Sequence, residues 1–423
     1  MHLVLHIGTE KTGTTSVQAF FRENRARMLS DGVWHAESLG GPDHRGLAVL
    51  ARRGDDPDDA FHRFHIHSPE DHARFVAETT ERLRAEIAAA KATDARTFLI
   101  SNEHLQSRLY DQESVGRVAD LLRPLFDSHE VLCVLRPQIE AVLSLTSTEA
   151  RVGLEVSRRR FEWVDPTVHY FNYLGLLERW ADGFGSETIL PVAFNRHRDM
   201  IGFFRHHLGL EGDGYQTVRP SNRRLDHRAI AFANRLALPV FLSPGTPNPN
   251  RTVFFDDLPV EAPLTLSRDF AKDIQARFDP GNAEIAARWP AITLDDLTPD
   301  WSRYPEIGTL DQLESCDTGP ILRYVVQRLN AELHFSKALT EQQRARVAHF
   351  NENYENALRF IDDALANLAA AAMFNDAEGN TDPDPQFEPM ADRVARVRAQ
   401  LEEHREIVAA RRPAQRAPRE TSA

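Results

Sequence analysis

Cysteine, long apolar runs and positive charge are all scarce in this chain of 423 residues. Its two cysteines, Cys133 and Cys316, are too far apart in sequence for a disulfide framework or a metal-binding spacing, so we expect two reduced thiols. No apolar run approaches the roughly 20 residues of a membrane-spanning helix, so no transmembrane segment is predicted. The chain opens on an apolar strand pattern without the features of a secretory leader. We therefore expect a cytoplasmic protein.

Basic residues are outnumbered by acidic ones. Lysine and arginine number 50 against 63 aspartate and glutamate residues, which gives a formal net charge of −13. A nucleic-acid-binding surface needs a surplus of basic side chains to neutralise phosphates, so we expect no nucleic-acid partner. Net charge does not govern a single cleft, however, and a local basic pocket for a small anion is compatible with an acidic exterior.

The residues after the first predicted strand form an incomplete phosphate-binding loop. Range 8–15 reads GTEKTGTT, whereas the loop of ATP-dependent enzymes reads G-x-x-x-x-G-K-[ST], with its lysine reaching the β- and γ-phosphates. Here Thr14 stands at that lysine position, and the lysine of the loop is Lys11. A helical pattern at 16–28 follows, so we expect backbone N–H groups and a helix dipole to converge on an anion. The alternative is an ordinary helix start with turn glycines.

Short apolar segments alternate with helical patterns along the first half of the chain. The predicted strands are 3–7, 96–101, 130–135 and 188–192. Continuous apolar strands separated by helices are typical of a parallel sheet covered on both faces. We therefore predict an α/β fold, a P-loop NTPase-like three-layer α/β/α arrangement with a mostly parallel sheet, over residues 1–220, with a surface excursion at 40–68.

The second half changes to helices and proline-punctuated loops, and we predict a mainly helical region at 221–374. The segment 339–342 has the form of a helix cap and predicts a helix from there to about Ile361. A linker, a charged helix at 390–412 and a disordered tail are predicted for 375–423. The charged helix is a candidate for association with a second copy or another partner.

Arg136 ends the third predicted strand, and Ser144 follows about two helical turns later. Ligands of doubly wound folds bind at the carboxyl ends of the strands, where an arginine offers a phosphate a bidentate fork. Ser144 is positioned to donate its hydroxyl to the same anion. Taken alone, Arg136 is also compatible with a surface salt bridge. The Asn-Arg-Arg cluster at 222–224 offers either further cations or a solvated helix start.

With these two features the chain resembles the sulfotransferases that use 3′-phosphoadenosine 5′-phosphosulfate (PAPS), in particular the bacterial sulfotransferase-like family whose first strand runs into H-I-G-x-x-K-T-G-T-T. The resemblance covers about the first 215 residues. It implies transfer of the sulfuryl group of PAPS to a hydroxyl or amine, release of 3′,5′-ADP, and no metal. It also implies which residues hold the donor: Lys11, Thr12, Gly13, Thr14 and Thr15 for the 5′-phosphosulfate, and Arg136 and Ser144 for the 3′-phosphate.

The predicted chemistry needs a cation and a base. In-line transfer builds negative charge on the bridging oxygen of the leaving nucleotide, where a cation stabilises the transition state, and Lys11 is predicted to supply it. Base candidates follow the second predicted strand, with Glu103 preferred and His104 as the alternative. Glu103 is also open to interpretation as a structural carboxylate or a Walker-B-like acid. Glu10 stands where the family often has proline, serine or arginine, and we expect its carboxylate to point outward.

Two other functions stay open from the sequence. An ATP-dependent P-loop kinase or NTPase would share the loop, although Thr14 replaces its lysine and no magnesium-binding aspartate is evident. A non-catalytic relative would bind nucleotide or a partner through the helical C-terminal region, which in our interpretation completes the acceptor cleft. A small molecule, a carbohydrate and a lipid are all compatible acceptors. The histidines at 62–72 match no zinc signature, and we interpret them as part of a solvated loop.

Overall fold

The computed structural model describes residues 1–218, 224–236, 241–243, 246–247, 258, 260–375 and 389–411. Five strands form one parallel sheet in the order β2-β3-β1-β4-β5, and they are β1 (His2–His6), β2 (Val33–His35), β3 (Thr97–Ser101), β4 (Ser128–Leu135) and β5 (Ile189–Ala193). β1 lies at the centre, where Leu5 is in register with Ile100 of β3 and Val131 of β4. The predicted α/β fold is confirmed.

Helices fill the connections between the strands. Up to residue 218 they are α1 (Thr14–Glu23), α2 (Arg25–Ser30), α3 (Arg45–Ala51), α4 (Asp59–Arg63), α5 (Pro69–Lys91), α6 (His104–Arg108), α7 (Gln112–Leu122), α8 (Gln138–Arg151), α9 (Arg158–Glu162), α10 (Tyr173–Phe184) and α11 (Met200–His207), with 3₁₀ turns at Arg123–Leu125 and Ser186–Thr188. α5 begins as predicted, because the Ser68 hydroxyl accepts the N–H of Asp71 at 3.1 Å and Pro69 occupies the first turn. The helix predicted at 16–28 is interrupted at Asn24, which separates α1 from α2.

Two hydrophobic cores lie on opposite faces of the sheet. Alternate strand residues supply them, with Leu3, Leu5 and Ile100 on one face and Val4 and Leu99 on the other. Helices α3, α5, α7 and α10 pack on the first face, and α1, α2 and α11 pack on the second. Continuous apolar strands indicate this three-layer arrangement because both faces of each strand are covered.

Two elements differ from what the sequence pattern suggests. β2 spans Val33–His35, three residues that are too few to display a period, and the sequence did not predict it. Within the predicted surface excursion at 40–68, α3 is buried along its whole length. Gly46 makes this packing feasible, because a Cβ at that position would collide with the carbonyl of Leu39. The excursion therefore contains a core helix.

The second half is helical, as predicted. Its elements are α12 (His227–Leu236), α13 (Arg268–Ala276), α14 (Asp279–Arg288), α15 (Gly319–Phe350), α16 (Tyr354–Asn375) and α17 (Met390–Arg411), with 3₁₀ turns at Asp295–Leu297, Trp301–Arg303 and Thr309–Gln312, and an antiparallel pair formed by β6 (Phe241–Ser243) and β7 (Thr246–Pro247). None of the helices in the described ranges is both long enough and apolar enough to cross a membrane.

α15 corrects a predicted boundary. The cap pattern at 339–342 predicted a helix start, but α15 runs through it and ends at Phe350, and α16 begins at Tyr354. The Thr340 hydroxyl donates to the Ser336 carbonyl at 3.0 Å, because a threonine inside a helix can bond the preceding turn instead of capping a new one.

Helices α15 to α17 build a core of their own. Phe335, Ile361, Leu368 and Leu401 are among its buried members. α15 has 32 residues and is therefore about 48 Å long. Its first turns pack instead against the core that α8, α12 and α13 share, through Ile321. This one helix therefore belongs to two cores.

Candidate functional site

A cavity of about 430 Å³ opens at the carboxyl edge of the sheet. It lies where the loop after β1, the start of α6 after β3, and α8 after β4 come together. Parallel sheets bind ligands at this edge, at the strand where the order of connections reverses, and β1 between β3 and β4 is such a strand. The residues that line the cavity are Glu10, Lys11, Gly13, Thr14, Thr15, Ser16, Asp59, Glu103, His104, Arg108, Ser144, Ser147, Thr148, Arg151, Val152 and Arg224. Apart from Gly13 and Val152, these have polar or charged side chains.

The loop after β1 leads directly into α1. Gly13 precedes the helix with φ of 83°, and Gly8 has φ of 106°, both in the region that favours glycine. A Cβ on Gly8 would lie 3.1 Å from the Cα of Glu103, so the loop packs tightly against the end of β3. The hydroxyl of Thr12 is buried and donates to the Thr9 carbonyl at 2.5 Å, which holds the turn. α1 therefore directs the positive end of its dipole into the cavity.

One side of the cavity, which we call the α8 wall, consists of Ser144, Ser147, Thr148, Arg151 and Arg224. The four α8 residues recur at intervals of three, one and three, which places them on one helical face. Of these four α8 residues, only Ser144 was predicted from the sequence. The same helical spacing is visible in the sequence and also identifies Thr148 and Arg151.

Lys11 reaches toward the α8 wall. Its Nζ donates to the Thr148 hydroxyl at 2.6 Å. The pKa of Lys11 lies below its usual range, because burial disfavours the ammonium and Arg151 adds repulsion, against opposing effects of Glu10 and Glu103. A partly desolvated cation of this kind interacts strongly with an added anion.

Two arginines are associated with this wall, and one of them lines the cavity while the other is buried behind the loop. Arg224 lines the cavity, and the pKa of its guanidinium is lowered by burial and by the charges of Arg136 and Arg303. Arg136 is buried, with Nε 3.1 Å from a Glu140 carboxylate oxygen and Nη1 donating to the Lys11 carbonyl at 3.2 Å. Arg136 thus supports the loop from behind, close to Arg224. Of the predicted cluster 222–224, the first two residues lie outside the described ranges.

The opposite side, which we call the α6 wall, consists of Asp59, Glu103, His104 and Arg108. Glu103 is 9% exposed, and both of its carboxylate oxygens accept hydrogen bonds. One accepts from the Thr14 hydroxyl at 3.2 Å, and the other from the Gln18 side chain. Glu103 therefore ties α1 to the end of β3 while still lining the cavity.

The carboxylate of Glu10 points inward, so the expectation that it faces outward is wrong. Its Oε1 lies 3.4 Å from Nδ1 of His104, and its Oε2 accepts from the Tyr170 hydroxyl at 3.2 Å. Burial alone would raise the pKa of Glu10, but His104, Ser107 and Arg108 together lower it to about 2. The backbone of Lys11 has φ of 67°, in the left-handed region. The side chains of the consecutive residues Glu10 and Lys11 extend to opposite walls of the cavity.

None of the histidines at 62–72 is among the residues that line the cavity. His72 is buried, stacks on Phe61 and donates from Nε2 to the Val49 carbonyl at 2.9 Å. His62 and His65 are exposed. Within the described ranges, no group of three or more His, Cys, Asp or Glu side chains is placed to hold a metal ion.

Of the residues singled out from the sequence, most meet at this cavity. Lys11, Glu103, His104, Ser144 and range 13–15 line it. Thr12 and Arg136 are not among the described lining residues: Thr12 braces the loop from within, and Arg136 supports it from behind. The cavity thus combines a helix N-terminus, several cations and several groups able to accept a proton, among them Glu103 and His104.

Comparisons with known proteins add little to this geometry. No protein-family model matches the chain, and no curated protein matches it in sequence. Among solved structures, the chain is similar to a sulfotransferase from Alicyclobacillus acidocaldarius, with 13% sequence identity and a TM-score of 0.31, over 56% of this chain and 91% of that chain. A likeness of this degree concerns the fold and assigns no function.

Proposed function

We propose that this protein is a sulfotransferase that moves the sulfuryl group of PAPS to a hydroxyl or amine acceptor by in-line displacement. The observation that carries the proposal is the joint presence, in one cavity, of the α1 N-terminus with Lys11 and of a second cation, Arg224, on the α8 wall. PAPS has two separate anionic ends, a 5′-phosphosulfate and a 3′-phosphate. The resemblance of the loop sequence to PAPS-dependent enzymes supports the same assignment.

The residues present suit such a donor. Range 12–15 and the dipole of α1 would hold the 5′-phosphosulfate. Arg224 and Ser144 would bind the 3′-phosphate, with Arg136 adding positive charge from behind the loop. Thr14 stands where an ATP-dependent loop has its lysine, and it hydrogen-bonds Glu103 instead of offering a cation.

Lys11 would have the largest effect on the rate of sulfuryl transfer, because it would stabilise the leaving oxygen. As the bond between sulfur and the bridging oxygen breaks, negative charge grows on that oxygen, and a preorganised ammonium beside it stabilises the transition state more than the ground state. Lys11 is already held by Thr148, so little reorganisation is needed. Removal of one such stabilising donor typically costs about 10²- to 10³-fold in kcat.

The α6 wall has the proton-accepting groups. Glu103 and His104 both line the cavity there, and a base at this position would take the proton of the acceptor hydroxyl or amine. The polar lining suits a polar small molecule or a carbohydrate better than a lipid chain, because burying an apolar tail against charged groups leaves those groups poorly solvated. The helical region, represented in the cavity by Arg224, would complete the acceptor cleft.

A binding series by calorimetry tests the proposal against a kinase and against a non-catalytic relative. We expect 3′,5′-ADP to bind at least about tenfold more tightly than 5′-AMP, because the extra phosphate meets a charge-assisted contact worth about 1.5–3 kcal/mol. A preference for ATP with magnesium would overturn the proposal in favour of a kinase or NTPase. Tight 3′,5′-ADP binding without sulfuryl transfer from PAPS to any acceptor or to water would identify a non-catalytic relative.

A further inference from the structure

We infer that Glu10 and His104 act as a carboxylate–imidazole pair, in which Glu10 is a positioning residue and Nε2 of His104 is the base that takes the acceptor proton. The inference rests on the proposed function and names the proton acceptor of that reaction. It also gives a role to a carboxylate that is otherwise out of place in an anion-binding loop.

The first support is the orientation of the imidazole. His104 is the first residue of α6 and lines the cavity with its side chain 24% exposed. Nδ1 and Oε1 of Glu10 are both buried and lie 3.4 Å apart, and neither atom has a formed hydrogen bond to any described residue, so each is the polar group placed to pair with the other. A carboxylate only accepts hydrogen bonds, so the proton of the neutral ring belongs on Nδ1. Nε2 is then the nitrogen with a lone pair, and it is the one available to the cavity.

The second support is that Glu10 is itself held in place. Its Oε2 accepts from the Tyr170 hydroxyl at 3.2 Å, and its backbone N–H donates to the side-chain carbonyl of Gln106 at 3.2 Å. Gln106 in turn donates to the Tyr170 carbonyl at 2.7 Å. The pKa of Glu10, lowered to about 2, keeps the group ionised at any working pH. Glu10 is therefore held beside the imidazole before any ligand arrives.

The third support is the different situation of Glu103. Both of its oxygens already accept hydrogen bonds from α1, through Thr14 and Gln18. These contacts occupy one lone pair of each oxygen and hold the carboxylate as a link between α1 and the end of β3. In the part of the chain that the structure describes, no hydrogen bond engages Nε2 of His104, so its lone pair is free to take the acceptor proton and His104 is the better placed of the two candidates.

The step balances as follows. The acceptor oxygen or nitrogen forms a bond to sulfur while the bond from sulfur to the bridging oxygen breaks, and the electron pair passes to the 5′-phosphate beside Lys11. The acceptor proton moves to Nε2 of His104, and the carboxylate of Glu10 stabilises the resulting imidazolium. The imidazolium then releases the proton to water as the products leave.

Several other charged or titratable groups face the pair and set its electrostatics. Lys11 approaches from the loop, Glu103 and Arg108 from the two ends of α6, Asp59 from α4, and Tyr170 from the segment before α10. Asp59 and Arg108 form an ion pair with Nη2 3.4 Å from Oδ1. Asp59 is also paired with Arg45, and in the described part of the chain Glu10 is the carboxylate in ion-pair contact with His104.

The first test reads the tautomer by NMR of the imidazole nitrogens in the full-length protein, with the signals of His104 assigned through His104→Asn. We expect the proton on Nδ1 in the wild-type protein and loss of that preference in Glu10→Ala, which removes the acceptor. A proton on Nε2 in the wild-type protein, or a tautomer unchanged in Glu10→Ala, would overturn the pairing. His206 and Glu211 form an exposed pair of the same type at 3.5 Å, so Glu211→Gln is the matched control and should leave His104 unchanged.

The second test follows the release of labelled sulfate from PAPS over a range of pH, with water in place of the acceptor. We expect His104→Asn to lower the rate by about 10²- to 10⁴-fold, and Glu10→Gln to lower it by about 10- to 100-fold. In Glu10→Gln the loss should fall on turnover, with the affinity for 3′,5′-ADP unchanged, because the change affects only the orientation of the base. A purely structural role for Glu10 would instead lower the free energy of unfolding and the affinity for 3′,5′-ADP together with the rate.

Two outcomes separate the inference from the proposed function. If Glu103→Gln abolishes sulfate release while His104→Asn retains it, the inference is wrong and the sulfotransferase proposal stands. If the wild-type protein neither binds 3′,5′-ADP nor releases sulfate from PAPS, the proposed function is wrong, whatever the tautomer of His104.

Discussion

The two walls of the cavity differ in charge, although consecutive residues of one loop reach them. Lys11 contacts the α8 wall through Thr148, and Glu10 contacts the α6 wall through His104. The α8 wall has arginines and hydroxyl groups, whereas the α6 wall has carboxylates and an imidazole among its members. Under the proposed function this difference corresponds to a division of tasks, in which the α8 wall would bind the anionic donor and the α6 wall would accept the proton.

This division makes a testable distinction between variants. A substitution on the α8 wall should change the affinity for 3′,5′-ADP or the stabilisation of the leaving group. A substitution on the α6 wall should change turnover and its pH dependence while the nucleotide still binds. If substitutions on one wall changed nucleotide affinity and turnover together, the two walls would not have separate tasks.

The largest effect is expected from Lys11→Ala. Sulfate release from PAPS should fall by about 10²- to 10³-fold, because the leaving oxygen loses its cation in the transition state. Binding of 3′,5′-ADP should change much less. Lys91→Ala, in the exposed last turn of α5, is the matched control and should behave as wild type. Turnover at the wild-type rate in Lys11→Ala would contradict both the mechanism and the comparison of the walls.

Arg136→Gln should act mainly on stability. Arg136 and Glu140 are buried together, and removal of one partner of a buried pair leaves the other charge uncompensated, at a cost of about 3 kcal/mol. We expect a lower free energy of unfolding in urea and a loop that is less well held, since Arg136 also donates to the Lys11 carbonyl. Unchanged stability with weaker 3′,5′-ADP binding would instead show that Arg136 contacts the 3′-phosphate directly.

Most of the fold was predictable, because its strands are continuous apolar runs and its helices have regular spacing. β1, β3, β4 and β5 lie close to the predicted segments. β2 was missed because three residues cannot display a period. The helix start predicted at 339–342 was wrong, because a threonine hydroxyl can hydrogen-bond a backbone carbonyl inside a helix as well as cap a helix start. Tertiary packing decides between the two.

The candidate site was predictable where residues follow strands directly. Lys11, Glu103 and His104 follow β1 and β3, and in a parallel sheet such residues converge at one edge. For the cluster at 222–224 the sequence left further cations and a solvated helix start both open, and only the tertiary fold, which brings Arg224 to the cavity, decides between them. The inward position of Glu10 was unpredictable for another reason, since its partners Tyr170 and His104 lie on separate segments.

A smaller effect is expected from Arg224→Gln. The affinity for 3′,5′-ADP should fall by about 10- to 150-fold, which corresponds to a charge-assisted hydrogen bond of about 1.5–3 kcal/mol. The affinity for 5′-AMP should stay the same, because it lacks the 3′-phosphate. Calorimetry with both nucleotides checks this directly. An equal loss of affinity for both nucleotides would show that Arg224 binds the 5′ end of the donor. Arg224 would then not distinguish the two anionic ends.

The smallest effect is expected from Ser144→Ala, and its neighbour offers a close control. Within the described residues the Ser144 hydroxyl has no hydrogen-bond partner, whereas the Ser147 hydroxyl accepts the N–H of Leu225 at 3.0 Å. Ser144→Ala should therefore weaken 3′,5′-ADP binding by about two- to tenfold, or about 0.5–1.5 kcal/mol, at unchanged stability. Ser147→Ala should lower stability by about the same free energy, because it leaves a buried amide unsatisfied. If Ser144→Ala weakens 5′-AMP binding equally, its hydroxyl does not serve the 3′-phosphate, and the α8 wall does not distinguish the two ends of the donor.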